Sequence, residues 1–145
     1  MEKYVEIKRW DNQEVIHSGY FISIKECLED GVKRGISFYR ADFTGVSLVA
    51  VNLTGSKLCG ANLRNVYLWG CKGNNKEIKN IDIFEEYKVV YTKDILQIGC
   101  EGHLIEEWEV FSEEEILKMG GQEGLDFWHK NKYYIFNKIE EDPAL

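Results

Sequence analysis

The chain has 145 residues, of which 44% are hydrophobic and 13% aromatic, enough for one domain with a packed core and too apolar for a disordered chain. Its net charge of −7 is uneven: residues 1–73 carry ten Lys/Arg against eight Asp/Glu, and residues 74–145 carry eight against seventeen. An acidic chain with no Lys/Arg cluster repels phosphate, which argues against direct nucleic-acid binding. The lack of an apolar run of about 18 residues, and of a leader-like N-terminus, argues against membrane insertion or secretion and for a cytoplasmic address.

The first twenty residues predict a hairpin. Tyr4–Trp10 and Glu14–Tyr20 are rich in Val, Ile, Tyr and Trp and are separated by the polar turn Asp11-Asn12-Gln13. A helix follows, with Ser23 as N-cap, Glu26 completing a capping box, an apolar stripe of Ile24, Cys27, Leu28 and Val32, and Gly35 closing the end.

From Ile36 to Gly70 every fifth residue is large and apolar: Phe38, Phe43, Leu48, Leu53, Leu58, Leu63 and Leu68. Two residues before each stands a smaller side chain: Ile36, Ala41, Val46, Val51, Ser56, Ala61 and Val66. A period of five fits neither a helix nor a flat strand, so the pattern predicts a solenoid in which each pentapeptide turns a corner. The hairpin and helix would then plug one end of it, because an open coil end exposes unpaired backbone and apolar interior.

The repeat resembles the pentapeptide-repeat family, whose consensus is approximately A(D/N)LXX: ADFTG at Ala41–Gly45 and ANLRN at Ala61–Asn65 match closely, VNLTG and SKLCG more loosely. The resemblance implies a right-handed quadrilateral β-helix with four pentapeptides per coil. Residues twenty apart would then lie over one another, Phe38 on Leu58, Phe43 on Leu63 and Leu48 on Leu68. Seven pentapeptides make slightly less than two coils, too few to stand alone, so both flanks must pack onto them.

The polar stretch GNNKEIKN leads out of the coil, and Tyr87–Thr92 and Ile95–Ile98 read as two strands around Lys93-Asp94, ended by Gly99. Leu104, Ile105, Trp108 and Phe111 space like one face of a short helix. Ser112 with Glu115 offers another capping box, Gly120-Gly121 breaks the chain, and a last helix runs from about Glu123 to Glu141 with Leu125, Trp128, Lys132, Ile135 and Ile139 on one face. The string QIGCEGHLIEEWEVFSEEEILKM with LDFWHKNKYYIF resembles a tail found after short pentapeptide-repeat or related segments in proteins of bacteriophages and prophages. The expected fold is therefore a β-rich α+β single domain over 1–145: hairpin and capping helix (1–35), a β-helix of about two coils (36–73), then a strand pair and helical layer (74–145).

Chemistry is sparsely written. Cys27, Cys59, Cys71 and Cys100 include no CxxC pair, which fits reduced thiols better than a disulfide framework or a zinc site. Cys100 and His103 form one close Cys/His pair, but cysteine catalysis also needs an orienting group and an oxyanion hole. The pair is read as structural, with Cys100 a small buried residue ending a strand and His103 bonding the start of the next helix. With no basic residue between Asp94 and Lys118, Glu106, Glu107, Glu109 and Glu113–Glu115 make an acidic face. No catalytic residue, metal or cofactor is expected.

Three functions fit. The first is a non-enzymatic phage or prophage accessory protein that sequesters a host protein or a small nucleotide-like signalling ligand, with Arg40, Arg64, Trp69, His103, Trp108 and Trp128 as candidate binding residues. The second is a structural or assembly protein that forms homo-oligomers through its last helix. The third is imitation of DNA against an enzyme such as gyrase, which longer family members perform. Two coils at a strand spacing of about 4.8 Å are too short for it, and the segment Ile36–Gly70 is net positive.

Overall fold

The computed structural model describes residues 1–83 and 86–145. Strands β1 (Lys3–Lys8) and β2 (Val15–Phe21) form an antiparallel hairpin, and helix α1 (Ile24–Lys33) follows. The Ser23 hydroxyl accepts the Glu26 N–H, the Glu26 carboxylate accepts the Ile22 N–H, and Gly35 leaves the helix at φ 71°. The cap thus satisfies one of the helix's orphan donors, the Glu26 N–H, and ties down the residue before the cap, which fixes the entry angle.

The pentapeptide rhythm appears first in the backbone. From residue 35 to residue 75 every fifth residue has positive φ: Gly35, Arg40, Gly45, Ala50, Gly55, Gly60, Asn65, Gly70 and Asn75. From Arg40 to Gly70 each such residue is the third of a β-turn, and the turns are closed by bonds such as Ala41 N–H to Phe38 C=O (3.0 Å) and Val46 N–H to Phe43 C=O (3.0 Å). Left-handed backbone suits glycine, and asparagine tolerates it, which accounts for most identities at this position. One residue after the small inward residue, Asp42 and Asn52 accept both the N–H and hydroxyl of Thr44 and Thr54, and Asn62 accepts the Arg64 N–H. These short side chains brace the chain between turns.

The chain returns over itself with an offset of twenty. Parallel bridges join Ser37 to Lys57, Asp42 to Asn62, Ser47 to Tyr67 and Asn52 to Lys72, supported by bonds such as Leu48 N–H to Tyr67 C=O (2.8 Å) and Tyr67 N–H to Val46 C=O (3.2 Å). Phe38, Phe43, Leu48, Leu53, Leu58 and Leu68 are fully or almost fully buried in one core with Val5 and Ile7 of the hairpin and Cys27 and Leu28 of α1. The hairpin also pairs with the repeat, where Trp10 N–H donates to Arg40 C=O and Asp42 N–H donates to Lys8 C=O. Phe38 packs so closely on α1 that a Cβ at Gly31 would lie 2.4 Å from its ring.

The exit is tied by two asparagines. Asn74 bonds Ser56 C=O and the N–H groups of Lys76 and Ile78, and Asn80 bonds Gly73 N–H and Cys71 C=O. Beyond it the expected strand pair is part of a four-stranded antiparallel sheet: β3 (Lys79–Ile81), β4 (Val89–Tyr91), β5 (Ile95–Ile98) and β6 (Glu101–Leu104), in that order. β3 and β6 escape sequence reading because three and four residues of mixed polarity carry no alternation signal. Val90 and Ile95 join the repeat core, while Val89, Tyr91, Leu96 and Ile98 face a second core, so the sheet is buried on both sides. Helix α2 (Ile105–Val110) and helix α3 (Glu113–Glu141) cover that second core. The Gly120-Gly121 break is a kink inside α3, at Gly121 with φ 63° and ψ −159°. Leu125, Trp128 and Ile135 point inward, and the end of α3 is anchored where Asp142 pairs with the buried Lys79 (2.6 Å) and accepts, through its carbonyl, the Tyr91 hydroxyl.

Candidate functional site

The six candidate residues scatter into four places. Arg40 belongs to the hairpin junction: its guanidinium lies 5.1 Å from the Tyr39 ring and 5.7 Å from the Trp10 ring and pairs with Asp11 at 2.9 Å. Arg9 reaches the same carboxylate at 2.7 Å, and the two cations hold Asp11 well below the usual carboxylate range, at about 2. This cluster locks the hairpin onto the repeat, since Trp10 Nε1 also donates to Gly60 C=O (2.8 Å). Arg64 is exposed on a groove that it shares with Lys93 and Asp94 of the β4–β5 turn. Trp69 stands half exposed on the side of the repeat, its carbonyl accepting Ala50 N–H.

His103, Trp108 and Trp128 do come together, in the second core. Trp108 sits on α2 and donates Nε1–H to Leu96 C=O of β5 (2.7 Å), which satisfies its polar edge in the interior. Trp128 of α3 packs 5.2 Å from it, and His103 of β6 lies edge-on to Trp108 (5.3 Å) and Phe111 (5.0 Å). His103 Nε2 faces Glu101 (3.2 Å). The start of α2 is capped instead by Glu107, whose carboxylate accepts Leu104 N–H (3.0 Å). Cys100 is likewise not a buried strand end: it is exposed in the tight turn between β5 and β6, because Gly99 at φ 56° swings the chain back at once. The Cys100–His103 pair therefore has its histidine engaged with Glu101 and two aromatic rings rather than with the thiol. Cys27 and Cys71 are buried, and desolvation pushes their thiols up to about 11 and about 12, far from thiolate chemistry.

Between this turn, α2 and the kink of α3 lies a cavity of about 60 Å³. Its wall is apolar: Ile98, Trp108, Ile116, Met119, Phe127 and Trp128, with Tyr87 edge-on to Phe127 (4.9 Å). Gly120 and Gly124 open its helical side, and Cys100 and Glu101 stand at its rim. Sequence reading named the two tryptophans but not the glycines: Gly120 and Gly124 flank the kink at Gly121, so no helical spacing links them in the sequence and only the kinked backbone brings both to the cavity. Among the described residues no group of His, Cys, Asp and Glu is arranged to hold a metal ion, and no helix is long and apolar enough to cross a membrane.

A parallel ladder with an offset of twenty and a left-handed residue at every fifth position defines a repeat protein whose unit is five residues. Residues 34–72 match the family described as pentapeptide repeats, in eight copies, so that segment carries pentapeptide repeats. No curated protein and no solved structure matches the chain.

Proposed function

We propose that the protein is a non-enzymatic binding protein. In this reading the repeat is a short right-handed quadrilateral β-helix of about two coils that serves as a rigid base, and the layer after it carries the recognition site. The observation that carries the reading is the apolar cavity walled by Trp108, Phe127 and Trp128 and open toward the β5–β6 turn: concave, largely apolar sites with a few polar groups at the rim are what ligand recognition uses. The four bridges at an offset of twenty support the base. A phage or prophage accessory role in a bacterial cytoplasm, sequestering a host protein or a small signalling ligand, rests on the resemblance of the second half to phage-protein tails.

Native mass spectrometry of the purified protein before and after exposure to bacterial lysate tests this. A discrete, stoichiometric added mass that Trp128→Ala loses is the expected result; an unchanged spectrum removes sequestration. A second reading, assembly through α3, is favoured by Tyr133 and Tyr134, exposed by 76% and 42% on a helix whose other face is already buried. It predicts a dimer or larger mass in the first spectrum, reduced to the monomer by Tyr133→Lys.

A further inference from the structure

Gly120 and Gly124 are not required by the packing around them. Leaving aside the chain neighbours and the helix's own backbone, a Cβ at either position would meet one atom of the described residues within 4 Å, the Tyr87 hydroxyl at 3.9 Å. That is ordinary contact, unlike Gly31, Gly73 or Gly102, where a Cβ would collide with a neighbour. Neither residue has positive φ; the kink's left-handed geometry is confined to Gly121. Alanine would therefore fit both sites and suit the helix better, yet both positions are glycine and both border the cavity. A local choice that lowers stability without serving the fold points to something outside the fold that needs the space.

The cavity's own chemistry says what that is. Its volume of about 60 Å³ is that of about two water molecules in the liquid, but an apolar wall offers water too few partners to hold it. The space suits a short aliphatic end. Among the described residues one formal charge stands on the rim, the carboxylate of Glu101, with 36% of that side chain exposed and the His103 ring beside it. A carboxylate or phosphate on the ligand would be repelled there, whereas an ammonium group would be attracted and could hydrogen-bond. Resting on the reading of this cavity as the recognition site, we propose that it binds a small aliphatic amine, with a tip of about two or three carbons between Trp108, Ile116 and Trp128 and the ammonium at Glu101.

The test is a titration of the full chain with n-propylamine and, in parallel, with butyrate, which carries the same propyl tip on a carboxylate. It is followed by tryptophan fluorescence and by the methyl resonances of Ile98, Ile116 and Met119. The expected result is saturable binding of n-propylamine, at least about fivefold tighter than butyrate. Glu101→Gln should abolish that preference while leaving the methyl shifts in place, and Gly124→Ala should weaken both ligands. Equal affinity for amine and carboxylate, or a preference unchanged in Glu101→Gln, overturns the amine assignment. No saturable shift with either probe, or shifts unaffected by Gly124→Ala, overturns the cavity as their site. In neither case is capture of a macromolecule on another surface decided, because that is read separately in the mass spectra.

Discussion

The repeat segment and the layer behind it bury their interiors by different rules. In the repeat, one aliphatic or phenylalanine side chain enters from every pentapeptide, the turns between Phe38 and Val51 are bonded to those twenty residues on, and six of the seven central residues are at most 1% exposed. One irregularity is Ser56, whose hydroxyl occupies an inward position that elsewhere holds Ala, Val or Ile and finds no partner among the described residues. In the second core, the space is filled by rings: Trp108 with Phe111 and Tyr87 with Phe127 meet edge to face, Trp108 and Trp128 lie tilted, and the remainder is left as a cavity beside two glycines. A five-residue period repeats one solution and leaves little room for a site, whereas aromatic packing on a kinked helix is irregular and leaves a void. On the proposed reading, the first region supplies architecture and the second recognition.

The contrast can be broken in several ways. The largest effect is expected in the repeat: Leu48→Ala should cost about 3–5 kcal/mol in denaturant unfolding, because a close-packed stack fixed by its ladder cannot collapse around the gap. A loss below about 1 kcal/mol would show that the repeat interior is loosely filled. In the second core the sign reverses, and Gly124→Ala should gain up to about 1 kcal/mol by removing a helical glycine and lining the void. Ser56→Ala should gain roughly 0.5–1 kcal/mol by deleting a buried, unsatisfied hydroxyl at a position where the repeat already uses alanine.

The hairpin junction supplies a pH test. Asp11 ionises at about 2 in the folded chain against an ordinary 3.8, so its pairing with Arg9 and Arg40 stabilises the fold above the ordinary value and is lost as pH falls through the lower one. The melting-temperature difference between the wild type and Asp11→Asn should hold steady above about pH 5 and shrink as pH drops from about 4 to 2. A difference independent of pH would mean the pair does not hold the hairpin. The smallest perturbation is thiol labelling of the native protein. The exposed Cys59 and Cys100 should react while the buried Cys27 and Cys71 stay silent until unfolding.

These two regions also differ in how far their sequence could be read. The repeat was legible because its rule is local: a small inward residue and a large one two places on recur every five residues, and the twenty-residue offset follows from the family's geometry. The capped starts of α1 at Ser23 and of α3 at Ser112 were legible for the same reason, each being a short side-chain bond. The sheet edges β3 and β6 were not, because a strand of three or four residues is defined by partners distant in sequence. The site was half legible. Trp108 and Trp128 were found from helical spacing, but their meeting with Tyr87 and Gly124 depends on how α3 crosses the sheet, and the placement of Arg40, Arg64 and Trp69 on other faces depends on the coil.

One measurement tests the division of labour most directly: the n-propylamine affinity of Gly124→Ala beside that of Ser56→Ala, with both melting temperatures recorded. Both variants should be more stable than the wild type, and only Gly124→Ala should lose affinity. Equal affinities in the two variants would contradict the account, because filling the void would then have cost the protein nothing but its glycine.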